Sequence, residues 1–172
     1  MLVIYMGGLA LIRRIAQLPG YIWAIVCGFL LISTCSGIIV YCVRAVDGDT
    51  IVVSNGTGLE KVRLIGVDTP ETKHPTKPID PFGYISWKAT TSAVFNSWVV
   101  LEFDGEPKRD RYGRLLAYVW VHELFLNAEL VRYGYGVAYT RFPFSYKRDF
   151  IELEDEARSY HRGLWGLPDR EQ

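Results

Sequence analysis

The sequence predicts a small α+β protein in which five short strands close into a Greek-key β-barrel, about three α-helices pack against it, and an apolar N-terminal helix precedes the whole. Three observations carry that expectation. After Gly37 the apolar residues fall in short β-branched runs parted by Asp-Gly and Asn-Gly turns. One helical stretch separates the third run from the fourth, and the remaining helical patterns come late. Before Gly37 the character changes: no charged side chain lies between Arg14 and Arg44, and residues 21–32, "YIWAIVCGFLLI", are almost wholly apolar.

Residues 1–36 read as a signal peptide or a membrane anchor. Arg13 and Arg14 flank the apolar run and the small residues "STCSG" follow it, the layout of an export signal. A permanent span needs roughly 20 apolar residues, which 21–43 reaches only by including "STCSG" and "IIVYCV". A retained anchor would also leave almost no linker before the first strand. Cleavage within "STCSG" is the first expectation, with lipid attachment at Cys35 or an uncleaved anchor as the alternatives. In either case the positive-inside rule keeps Arg13 and Arg14 cytoplasmic, and the domain is extracytoplasmic, secreted or tethered. Cys27 and Cys35 belong to this segment, so Cys42 is left as a small apolar strand residue with no intrachain disulfide partner.

The domain itself, 37–168, opens with strands at 37–46 and 50–54 joined by "DGD"; "LEKVRLIGV", 59–67, follows the turn "NGTG" as the third. "HPTKPIDPFG" carries three prolines and reads as a loop. Residues 84–98 read as a helix, then 99–103 and 114–121 as strands joined by the charged turn "DGEPKRDRYG". "NAELVRYG" is a short helix with Asn127 as its cap and Gly134 as its stop. In 145–166, Phe150, Leu153, Ala157, Tyr160 and Leu164 recur at spacings of three and four, the stripe of one amphipathic helix. Five strands with a helix between the third and fourth suit a barrel of the OB type, with 169–172 a tail.

Composition bounds the function. A chain of 172 residues, 49% hydrophobic and 22% charged, is neither disordered nor fibrous. A net charge of +0 and a pI near 6.8 exclude a general pull on polyanions, so contact with nucleic acid must be local. The Cys and His residues have no zinc spacing.

Carboxylates and arginines mark where that contact would be. Asp47 and Asp49 flank a glycine at the tip of the first hairpin, and Asp68 and Glu71 follow the third strand. Antiparallel neighbours could bring those ends together, and like charges so crowded repel unless a cation sits among them. Oxygen donors alone suit a hard ion such as Ca²⁺, with water completing its shell. Either motif taken singly reads equally as a hairpin turn or a helix start. Arg63 in an apolar strand and Arg114 at the opening of another add planar forks that match phosphate oxygens. The set suits a phosphodiester: metal to polarise a phosphoryl oxygen, glutamate to take a proton from water, arginines to hold the growing charge.

From about Val43 to Gly166 the chain resembles the thermonuclease (staphylococcal nuclease) family. The residues that carry the likeness are "DGDT", "VRLIGVDTPETKHP", "FD" followed by "DRYGRLLAYVWV", "NAELVRYGYGVAY" and "GLWG". The resemblance implies an OB barrel with appended helices. It implies that Asp49, Asp68 and the carbonyl of Thr69 hold Ca²⁺, with Asp47 supporting, and that Arg63, Glu71 and Arg114 are the catalytic trio. The implied reaction is endonucleolytic hydrolysis of DNA and RNA with little sequence specificity, single strands preferred, giving 3′-phosphate ends. Tyr112 and Tyr139 match positions near the bound nucleotide, Arg111 and Lys77 lie on loops flanking the site, and Arg141 stands where the best-known member has a second tyrosine. A noncatalytic OB module that binds nucleic acid or protein is the alternative; it has no need of Asp49, Arg63, Asp68, Glu71 and Arg114 together.

Overall fold

The protein is described from a computed structural model over residues 37–72 and 81–167. The segment 1–36, with its expected signal or anchor and Cys35, lies outside the described residues, as does Lys77. Among the described residues no helix is long and apolar enough to cross a membrane.

Strands β1 (Ile38–Ala45), β2 (Thr50–Ser54) and β3 (Leu59–Leu64) form an antiparallel meander. Strand β5 (Trp98–Glu102) pairs with β1, and β7 (Leu115–Val121) with β5. A parallel pairing of β3 with β7, Arg63 beside Leu116, closes the ring β1-β2-β3-β7-β5. This is the five-stranded barrel expected. Alternation drives it: Ile51, Val53, Val62, Leu64, Val99, Leu101, Ala117 and Val119 all point inward and are buried. Each large apolar side chain so buried contributes about 1.5–3 kcal/mol. Cys42 lies in the same core as the small apolar strand residue expected, its thiol pushed up to about 11 by burial.

Among the described residues three α-helices complete the domain: α1 (Pro81–Val94), α2 (Leu126–Arg132) and α3 (Lys147–Ser159). Short strands β6 (Lys108–Arg109) and β8 (Leu124–Phe125) pair with β7. Strands β4 (Val67–Asp68) and β9 (Val137–Ala138) make a separate two-stranded ladder.

The structure corrects four readings. The helix expected over 84–98 starts earlier, with Pro81 at its first position, and ends at Val94. Asn96, at a φ of 54°, turns the chain out of it, and Trp98 opens β5 opposite Tyr41. "LEKVRLIGV" is not one strand, because Gly66, at a φ of 78°, turns the chain between β3 and β4. Asn127 is not a cap: Phe125 occupies the cap position of α2. The fully buried Asn127 amide instead accepts from the Val119 N–H at 2.9 Å and donates to the carbonyls of Ile65 at 2.9 Å and Ala117 at 3.3 Å. Bonds to three distant backbone groups outweigh one local cap. Finally, α3 stops at Ser159, leaving Tyr160 exposed and Leu164 in a 3₁₀ turn (Gly163–Gly166). Left-handed backbone at His161 and Gly163 breaks the helix there, and Gly163 lies so close to the Gly134 carbonyl that a Cβ would not fit.

Candidate active site

The β1–β2 turn, the segment after β3, and the start of β7 meet on the outer wall of the barrel. Register is what gathers them. Thr50 pairs with Arg63 across β2 and β3, and Arg63 with Leu116 across the barrel closure, so the arginine lies between the first hairpin and the strand that Arg114 precedes.

Arg63 is held on four sides. One of its terminal nitrogens forms an ion pair with Asp49 Oδ2 at 3.1 Å and donates to Asp68 Oδ1 at 2.8 Å. The other donates to the carbonyls of Leu64 at 2.8 Å and Val67 at 2.6 Å. Asp49 is buried, and its Oδ2 also accepts the Thr69 N–H at 3.1 Å. Its Oδ1 accepts the Thr50 hydroxyl at 3.0 Å, and Thr50 Oγ1 in turn accepts Arg114 Nη1 at 3.2 Å. One chain of polar contacts therefore runs Asp68, Arg63, Asp49, Thr50, Arg114. Arg114 is fixed from its other side by Asp110, which accepts its Nε at 2.7 Å and its backbone N–H at 2.9 Å.

Close packing sets the turn. A Cβ on Gly48 would lie 2.7 Å from Thr69 Oγ1 and 2.9 Å from Ser86 Cβ, and the Gly48 carbonyl accepts the buried Thr90 hydroxyl at 2.5 Å. Helix α1 thus seats the acidic turn from below. It seats Glu71 as well, since a Cβ on Gly83 would fall 2.7 Å from the Glu71 carbonyl oxygen. Glu71 keeps its own side chain exposed.

Electrostatics show how crowded the acids are. Asp47 is pushed up to about 7, first by burial and then by the Asp49 and Glu71 carboxylates. The Asp68 carboxyl is raised too: lost hydration is the largest cause, Asp49 adds to it, and Arg63 and Arg141 oppose it. Among the described residues no three acids or imidazoles converge as a closed metal cage. The donors are all oxygens, with the Arg63 guanidinium between Asp49 and Asp68, a set whose chemistry suits a hard cation with a largely aqueous shell and not a thiophilic metal.

A profile described as staphylococcal nuclease homologue matches residues 61–166. The chain belongs to the staphylococcal nuclease family. It is 42% identical over 123 residues to a thermonuclease of Staphylococcus intermedius, covering 71% of this chain and 73% of that one. It is 36% identical over 124 residues to a thermonuclease of Staphylococcus hyicus, covering 72% and 73%. A similar likeness, 40% over 124 residues, holds with the SPbeta prophage-derived endonuclease YokF of Bacillus subtilis, covering 71% of this chain and 42% of that protein.

In this staphylococcal nuclease domain the expected groups Asp47, Asp49, Arg63, Asp68, Thr69, Glu71 and Arg114 come together on one wall. Tyr112 stands exposed beside them, its ring 4.7 Å from the Arg111 guanidinium and 5.4 Å from that of Arg114. Tyr139 is tied through its N–H to the Gly66 carbonyl at 2.9 Å and carries the Arg141 guanidinium 5.8 Å from its ring. Sequence reasoning passed over Thr50 and Asp110. The threonine was visible in "DGDT" only as a turn residue. Asp110 had a signal, an acid four residues before an arginine around a tight "YG" turn.

Proposed function

We propose that this nuclease is a Ca²⁺-dependent endonuclease that hydrolyses the phosphodiester bonds of DNA and RNA with little sequence specificity and leaves 3′-phosphate ends. One observation carries the reading most: Arg63 and Arg114, two phosphate-matching forks, are joined through Asp49 and Thr50 beside an exposed carboxylate, Glu71, close enough to raise Asp47. A binding module would need neither the fixed forks nor the free acid.

Asp49 and Asp68, with the Thr69 carbonyl and support from Asp47, would hold the cation. Bound there, Ca²⁺ supplies positive charge to polarise a phosphoryl oxygen and neutralise the approach of a polyanion. The chain's own groups do the rest. Arg63 and Arg114 bind the phosphate and stay oriented as charge builds on its oxygens, because carboxylates and carbonyls already fix their forks. Glu71 takes the proton from the attacking water. Tyr112 and Tyr139 offer faces to splayed bases, which supports faster cutting of single strands and indifference to base identity. The basic-flanked apolar run 21–32 supports an extracytoplasmic place of action.

The test is hydrolysis of single-stranded DNA and of RNA by the full chain with Ca²⁺, in excess chelator, and after Ca²⁺ is restored. Activity should vanish on chelation and return with the ion. Full activity in chelator would overturn the metal dependence, and binding without cleavage would leave a noncatalytic module.

A further inference from the structure

We infer that the barrel end opposite the acidic turn is a docking surface for a lipid bilayer. Strands β1 and β3 begin at that end and β2 finishes there, while β5, antiparallel to β1, starts at Trp98 beside Tyr41 and runs toward the start of β1. Register sets Leu59, Ser54, Tyr41 and Trp98 side by side in one row across four strands of the outer wall. Trp98 packs edge-on against Tyr41 at 5.5 Å. Exposure is high for an apolar row: Leu59 68%, Trp98 64%, with Ile39 69% and Phe95 75% beside it. No described helix covers it, and Asn96, which accepts a hydrogen bond from Tyr41, holds the turn that turns Phe95 outward.

The chain before β1 argues for the occupant. The apolar run 21–32 ends only residues 33–37 short of β1, which starts at this same end. Only those five residues of sequence stand between the apolar run and the strand that carries Ile39 and Tyr41. The short connection that counted against an anchor is then what such a surface requires. Chemistry matches as well. Tryptophan and tyrosine are the side chains enriched where hydrocarbon meets water. The next row of the same wall is Lys61, Val52 and Arg44, so two exposed cations sit at the height of lipid phosphates.

Above that row comes Thr50 beside Arg63. Along β3 the outward side chains read Leu59, Lys61, Arg63: apolar, basic, catalytic. Four residues rise about 13 Å, more than the roughly 5–7 Å of a headgroup layer. Docking therefore leaves the phosphate-binding wall in water, facing polymeric substrate. This inference rests on the extracytoplasmic reading above and specifies the membrane as the surface on which that site works.

The experiment mixes the full chain with phosphatidylcholine–phosphatidylglycerol vesicles carrying brominated acyl chains. Subtracting the emission of Trp98→Phe from that of the unaltered chain isolates Trp98. The expected result is a Trp98 component quenched by the lipid bromines and protected from aqueous iodide, with that quenching lost in Ile39→Asp, whose fold is checked by circular dichroism. A Trp98 open to iodide and untouched by bromine overturns the inference. Shielding from both, with a doubled mass on crosslinking, overturns it in favour of a second copy. Hydrolysis of an oligonucleotide is read in parallel: an inactive chain with a bromine-quenched Trp98 removes the proposed function and leaves the docking, whereas an active chain with an iodide-open Trp98 does the reverse.

Discussion

The two walls of the site are built on opposite principles. On the carboxylate wall, Asp49 is buried, Arg63 makes four contacts, and backbone from β3, β4 and the residue after β4 supplies partners beside the carboxylates. On the aromatic wall, Tyr112 is exposed, and among the described residues Arg111 hydrogen-bonds only to its hydroxyl, at 2.6 Å, and Arg141 rests over Tyr139 without an ion pair. Groups that must meet a developing charge gain from being fixed beforehand, because reorganisation at the moment of reaction costs rate. Groups that meet varied bases gain from freedom. The difference separates turnover from binding along a physical boundary, and substitutions on each wall should read out in different kinetic constants.

The largest effect should follow from removing chemistry while keeping shape. Glu71→Gln deletes the base, and Arg114→Lys keeps the charge but loses the fork. Each should lower kcat by about 10²-fold or more with little change in KM. Unaltered near-ultraviolet circular dichroism would show the fold intact. If either variant instead loses its fold while keeping activity per folded molecule, the fixed wall is scaffold and the comparison fails.

Thr50→Val sharpens the same wall from within. Valine keeps the volume but takes a partner from both Asp49 Oδ1 and Arg114 Nη1. Hydrogen bonds to charged groups contribute about 1.5–3 kcal/mol, so kcat should fall about tenfold or more, with the loss reduced by a serine at the same position. An unchanged kcat would mean the two arginines act independently.

How much of this was open to sequence reading depended on distance along the chain. Asp68 and Arg63 lie five residues apart, and their pairing could be suspected from the string alone; Asp49 and Glu71 needed only the idea of adjacent hairpin ends. Thr50 could not be placed, because its role comes from cross-strand register with Arg63 and from an arginine 64 residues away. Asn127 misled for the converse reason: its local pattern is a good cap, yet three long-range backbone partners outbid it. Trp98 likewise fitted the helical run before it, until the left-handed Asn96 put it in a strand. Local propensity wins where nothing distant competes.

On the aromatic wall the expected effect is smaller and appears elsewhere. Tyr112→Ala removes one exposed stacking face, and base–aromatic stacking amounts to about 1–3 kcal/mol. With the ring exposed, the low end applies: KM for single-stranded oligonucleotides should rise about fivefold while kcat holds, as steady-state kinetics would show. A fall in kcat equal to the rise in KM would place the ring on the fixed wall.

The smallest effect lies at the joint between the walls, in Asp110. Its carboxylate takes the Arg114 guanidinium and the backbone N–H groups of Tyr112 and Arg114. Burial alone would push its pKa up, but these bonds outweigh burial and hold it below its ordinary value. A carboxyl lowered on folding contributes stability that is fully present above its unfolded pKa, about 3.9, and is lost as the pH falls through its folded value. The melting temperature of Asp110→Asn should therefore lie below that of the unaltered chain at neutral pH by a constant margin, and the margin should close below about pH 4. Activity adds a second readout, since Arg114 without its anchor joins the loose wall: the variant should lose kcat at every pH while its KM stays near that of the parent. A margin that widens in acid would mean that burial, not Arg114, governs this carboxyl, and Arg114 would then owe its position to Thr50 alone.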